Sequence, residues 1–180
     1  MIEPVHRVVS NSGLHRGQFC PMIRRGYDFQ HSAGLSLEDA RDDATRLFLD
    51  LWKRKSGDRF APSRDEFDWL EMPMAVVPRI MIVDVLTSPL DFQYRYFGTW
   101  HVECHGRDMT GVRVSEYEEE DYRDFVHAGY AKIIEARRPT LSVVSMILND
   151  LPYQCEILRL PLSSDGRTVD MIMVVESLLG

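Results

Sequence analysis

Three residues with ligand chemistry crowd into one short stretch. In "GTWHVECHG", residues 98–106, His101, Cys104 and His105 fall within five positions. In a short helix starting at Thr99 the two histidines share a face, the i and i+4 relation. Two imidazoles so placed can bind zinc or another transition metal. A closed zinc site needs about four protein ligands and a catalytic one about three. Cys104 joins the pair only with distortion, and the remaining candidates, His127 and Cys155, stand alone. The plainer reading is a pair of pocket-lining or half-exposed histidines. Contact with an organic ligand comes second, and a metal or haem last.

Other chemistries find less. "GRDMTG" (106–111) fits neither phosphate-loop pattern, and no Ser/His/Asp or Cys/His motif stands out. "EEED" (118–121) leads into a helix, where acids complement the macrodipole. For acid–base catalysis the one pair to nominate is His101 with Asp84, and nothing in the sequence says that they meet.

The chain has 180 residues, a formal net charge of −7 and 44% hydrophobic residues. That suits one domain with a sizeable core. The acidic balance argues against nucleic acid as a partner. The odd set Cys20, Cys104 and Cys155 contains no CxxC pair, which fits a reducing cytoplasm better than a disulfide framework. No apolar run is long enough to span a membrane, and the N-terminus has no secretory h-region.

Residues 1–35 read as a loosely ordered extension, with a short strand at "HRVV". Residues 36–55 read as a helix capped by Ser36, with Asp39 at the capping-box position and "KRK" at its end. Leu37, Ala40, Ala44, Leu47, Phe48, Leu51 and Trp52 form its apolar stripe. A proline-punctuated connection over 60–78 follows, with one helical turn near Trp69–Met72. Strands are expected at 79–86 and 91–98, a long helix at 116–138, and three more strands at 140–148, 152–163 and 168–178. The long helix carries Tyr122, Phe125, Val126, Gly129, Tyr130, Ile133 and Ile134 on one face, leaving His127 toward solvent or the stripe's edge. The fold class is therefore α+β, a five-stranded antiparallel sheet with helices on one face. The last strand is apolar on both sides, so the amphipathic N-terminal helix is the natural cover for the second face.

This order of elements resembles a PAS domain. "PSRDEFDWLEMP", "VPRIMIVDV", "FQYRYFGT", "GRDMTG" and "LRLPLSSDGRTVDMIM" resemble, in order and spacing, motifs of small, mostly stand-alone bacterial PAS proteins. The likeness spans residues ~37–178, most of the chain. Trp69 and Glu66 depart from it, standing where that subfamily favours proline and aspartate. His101, Cys104 and His105 depart further, occupying a short helix that is usually apolar.

The resemblance implies a PAS-like core over 58–180 and an N-terminal helix over 36–57. It implies a non-catalytic sensory or interaction module whose pocket, between helices and sheet, holds haem, flavin, a metabolite or nothing. The sequence does not name the cofactor. It lacks the reactive-cysteine run of light-sensing relatives, so a covalent chromophore is not expected. The implied partners are a second copy of the chain, a separate signalling protein and a small-molecule ligand. Leu37, Leu47, Phe48 and Leu51 are the candidate dimer contacts. Arg95, Phe97, His101, Cys104 and His105 are the candidate ligand contacts. Alternation places Phe97 inward with Arg95 beside it, and a buried Arg95 needs an anion, either Asp84 or an acidic ligand. A small isomerase or dehydratase, or a haem or metal sensor, is the alternative reading.

Overall fold

Five strands form one antiparallel sheet in the order β2-β1-β5-β4-β3. They are β1 (Ile80–Thr87), β2 (Leu90–Phe97), β3 (Thr140–Leu148), β4 (Leu151–Leu162) and β5 (Met171–Leu179). Helices α1 (Asp43–Ser56), α2 (Thr99–His105) and α3 (Glu120–Ala136) complete the α+β architecture. The computed structural model describes residues 35–148 and 151–179. The N-terminal extension with its "HRVV" strand lies outside the described residues, apart from Leu35.

Each face of the sheet carries its own core. One face packs Phe92, Tyr94, Phe97, Ile157, Ile172 and Val174 against Val126, Tyr130 and Ile133 of α3. The opposite face packs Ile80, Ile82, Leu158, Leu160, Met173 and Val175 against Phe48, Leu51 and Trp52 of α1. The central strand β5 is buried on both sides from Ile172 to Val175, as its unbroken apolar run requires. Trp52 also donates its indole N–H to the Pro161 carbonyl (2.9 Å), which fixes α1 along β4.

The helix expected over 36–55 is in fact two elements. Ser36 and Asp39 form a capping box, but on a single 3-10 turn, Leu37–Asp39. The chain then extends through Ala40 before Asp42 caps α1, accepting the Thr45 N–H at 2.8 Å. A buried carboxylate causes the break. Glu156 of β4 accepts the backbone N–H of Arg41 (2.7 Å) and of Asp42 (3.4 Å), donors that a continuous helix would not present to the sheet. The α1 face also differs from the expected stripe. Thr45, Phe48, Leu49, Leu51 and Trp52 are buried, while Leu47 is 59% exposed, roughly 130° from the buried centre at 100° per residue.

The alternation assumed for β2 is broken too. Ile82 pairs with Tyr96 and Val83 with Tyr94, so Arg95 is the extra residue of a β-bulge. Phe92, Tyr94 and Phe97 thereby share the α3 face, while Tyr96 packs with the α1 side. The long helix begins at Glu120 rather than 116, because Val114–Glu116 forms a separate turn that ends as buried Tyr117 enters the core.

The outer edge of β2 is lined by the chain's own backbone. Tyr94 N–H donates to the Val112 carbonyl (3.1 Å) and Gly111 N–H to the Tyr94 carbonyl (2.7 Å). Gln93 bridges Arg113 beside them. On the opposite edge, Leu35 makes an isolated bridge with Leu141 of β3.

Candidate functional site

Two glycines set the position of α2. Gly98 caps its start, donating its N–H to the Ile80 carbonyl at 2.9 Å. A Cβ at Gly98 would lie 2.2 Å from the Pro78 carbonyl oxygen, so only glycine allows this approach to the sheet. Gly106 ends the helix in the left-handed conformation, with φ 69°.

Phe97, His101 and His105 meet behind that anchor. The Phe97 ring lies 5.3 Å from His101 and 5.2 Å from His105, centroid to centroid. His101 is 1% exposed, and its Nε2 lies 2.9 Å from the Arg79 carbonyl oxygen. A carbonyl only accepts, so Nε2 carries the proton and Nδ1 is the free acceptor. Burial lowers the pKa of His101 to about 4 and that of His105 to about 3, with nearby positive charge adding to both shifts. Both rings are therefore neutral at pH 7. Half-buried Cys104 packs at the margin of the same core.

Arg95 does not join them. The bulge turns it to solvent, its side chain 55% exposed, where Nε donates to Asp84 Oδ1 at 2.7 Å. The expected inward orientation is thus corrected, while the partner is the Asp84 that the sequence suggested. The nominated pair of His101 and Asp84 is also separated, since each bonds elsewhere. His127 sits half-buried at the edge of α3, 3.3 Å from the Leu90 carbonyl oxygen and edge-on to Phe92. Among the described residues, no three His, Cys, Asp or Glu side chains gather as a metal site.

The same sheet face carries polar groups that the sequence reading passed over. Arg159 of β4 is 6% exposed, and Nη1 donates to Ser142 Oγ at 2.9 Å. Its Nε is buried without a hydrogen-bond partner. Gly129 of α3 makes room for it, since a Cβ there would lie 3.0 Å from Nη2. Tyr117 donates its hydroxyl to that of Tyr94 at 3.0 Å, and Tyr94 and Tyr130 hydroxyls lie 3.4 Å apart. Burial pushes Tyr130 up to about 12, so its phenol stays a neutral O–H at pH 7. Buried Cys155 is likewise raised well above the usual thiol value, leaving an inert thiol.

Glu176 of β5 completes the group. Its Oε2 lies 3.9 Å from His101 Nδ1. Burial raises its pKa to about 7, against the pull of Arg159. The folded protein thus holds this proton more tightly than the unfolded chain does. Above the unfolded value of 4.5, the unfolded chain ionises first, so this group's contribution to stability falls as pH rises toward about 7. His101 has the opposite sign, with stability lost as pH falls from 6.5 toward about 4. Glu176→Gln is expected to raise Tm relative to wild type progressively between pH 4.5 and 7, with a plateau above. Melts in a buffer series check this, and a constant offset across the range would contradict it.

A second run of contacts leads from α2 to α1. Arg79, whose carbonyl holds His101, donates from Nη1 to Ser177 Oγ at 2.7 Å. Ser177 Oγ lies 3.0 Å from Thr45 Oγ1, and Thr45 bonds the Asp42 cap. Arg79 also reaches Asp42 directly, Nη2 to Oδ2 at 3.6 Å. Asp42 stays below the usual carboxylate value because the Thr45 bonds and the charge of Arg79 outweigh its desolvation.

Solved structures resemble the chain distantly. A point variant of RsLOV matches with TM-score 0.41 and 16% identity, over 59% of this chain and 65% of that one, just under two thirds of its length. A light-oxygen-voltage domain studied with a flavin analogue matches with TM-score 0.37 and 14% identity, over 56% and 76%. A fungal LOV domain photoreceptor matches with TM-score 0.44 and 13% identity, over 77% and 95%. No curated protein matches the chain. No described helix is long and apolar enough to cross a membrane. A PAS-domain family model matches residues 40–175, and the chain belongs to the PAS domain family, whose members are generally sensory.

Proposed function

We propose that this protein is a non-catalytic sensory module in the cytoplasm. A small ligand or a protein partner shifts the packing of α2 against the sheet, and the shift reaches α1. The module acts as a homodimer through the outer face of α1, where Leu47 is exposed, with half-buried Leu37 on the turn before it, and passes its signal to a separate signalling protein. Phe48 and Leu51, the other two candidate dimer contacts, pack against the chain's own sheet.

One observation carries this reading. His101 on α2, Arg79, Ser177 on β5, and Thr45 with Asp42 at the start of α1 form a continuous series of polar contacts. A signal needs such an element with two packings, biased by what binds. Phe97, His101, Cys104 and His105 form the proposed ligand-facing wall, at the head of that series. Arg95, on the outside, belongs to the proposed site only as a contact for a protein partner.

His101→Phe keeps a ring against Phe97 and removes the bond to Arg79. It is expected to speed amide exchange in the first turns of α1 about threefold to tenfold, the value of one hydrogen bond. Unchanged protection at Thr45–Leu49 would sink the coupling.

A further inference from the structure

We infer that the interior between the sheet and α3 receives a small organic monocarboxylate, gripped by the Arg159 guanidinium. This rests on the sensory reading and names its ligand class. A guanidinium offers five N–H donors in a planar fork. Among the described residues, Arg159 makes one hydrogen bond, to neutral Ser142, and no carboxylate lies within 4.0 Å. A buried cation with an orphaned Nε calls for an anion that accepts in its own plane, which a carboxylate does best.

The surroundings narrow the class further. Glu176 lies on the same sheet face, one strand away, because its direct partner in the ladder is Ile157. A second negative group on the ligand would be set against that carboxyl, so a monoanion is favoured over a dianion. A neutral ligand would leave the guanidinium with no anion in contact, because Glu176 acts on it only from a distance. Tyr130 follows Gly129 on α3, and its hydroxyl adjoins that of Tyr94 and, through it, Tyr117. Tyr117 spends its proton on Tyr94, and with Tyr94 donating on to Tyr130, the Tyr130 O–H is left to donate to a remaining lone pair of the carboxylate. The seam of α2 and α3 is closed by side chains alone: His105 and Tyr122 meet there at 6.4 Å, with Val102 and Phe125 only partly buried.

The test uses the full chain with sodium acetate, propionate and benzoate as probes. Propionamide, benzamide, chloride and inorganic phosphate serve as comparisons. At least one carboxylate is expected to raise Tm with concentration and to bind by calorimetry, without the same effect from its amide or from phosphate. Arg159→Lys keeps the charge but loses the fork, and is expected to weaken binding about tenfold. Gly129→Ala, which presses a methyl onto the guanidinium, is expected to weaken it as well, so the result does not depend on one variant folding. No response to any carboxylate, equal response to amide or phosphate, or unchanged binding in both variants would overturn the proposal. A neutral molecule retained through purification, seen by native mass spectrometry, would overturn the carboxylate while leaving the sensory reading intact. Unchanged α1 exchange in His101→Phe is the separate failure of that reading.

Discussion

Gly98→Ala is expected to destabilise the protein by about 3 kcal/mol or more, a fall in Tm of about 6–12 °C. The added Cβ would sit 2.2 Å from the Pro78 carbonyl oxygen and 2.7 Å from that of Ile80. Both obstacles are backbone, so no side chain can swing away. Relief means moving the start of α2 off the sheet, which also stretches the 2.9 Å bond from Gly98 N–H to Ile80. His101 and His105 would move with it, away from Phe97. Trp100 lies on the same helix, with its ring 4.9 Å from His101, so near-ultraviolet circular dichroism should change together with the melt. A variant with wild-type Tm and aromatic signal would show that the close approach does not hold α2.

Phe48→Ala and Leu47→Asp should separate folding from association. Phe48 is fully buried between α1 and the sheet, near Phe67 at 6.4 Å. Truncating it leaves a cavity in a core without easy collapse and is expected to cost about 3–5 kcal/mol. Leu47, one residue away, is 59% exposed and touches little of its own chain's core. Leu47→Asp is expected to change stability by less than about 0.5 kcal/mol while converting dimer to monomer in light scattering. Unaltered mass in Leu47→Asp would remove α1 from the dimer interface. A small loss in Phe48→Ala would mean that α1 is not an integral cover of the sheet.

The fold was legible in the sequence because its signals are local and redundant. Two long helices, five strands and the turns between them each announce themselves by period and punctuation. The double burial of β5 follows from its unbroken apolar run. What escaped was set by single residues acting across the fold. Glu156 interrupts the N-terminal helix from 114 positions away along the chain, measured from Asp42, and no helix propensity reports that. The bulge at Arg95 reverses a face, and simple alternation cannot register an inserted residue. The candidate site divides in the same way. Phe97, His101 and His105 do meet, since sequence neighbours on one short helix share a wall. Arg159 and Glu176 sit in strands whose apolar runs dominate the pattern. A charged residue inside such a run was the available clue, because burial there demands a partner.

The backbone lining β2 also limits how this molecule can meet others. An open edge strand would template pairing with any extended peptide or with a second sheet. Here the N–H and carbonyl of Tyr94 are already taken by residues 111 and 112, and Gln93 is engaged with Arg113. Strand addition is therefore blocked along the middle of that margin. That margin does not grow sheet upon sheet, and recognition there is left to side chains.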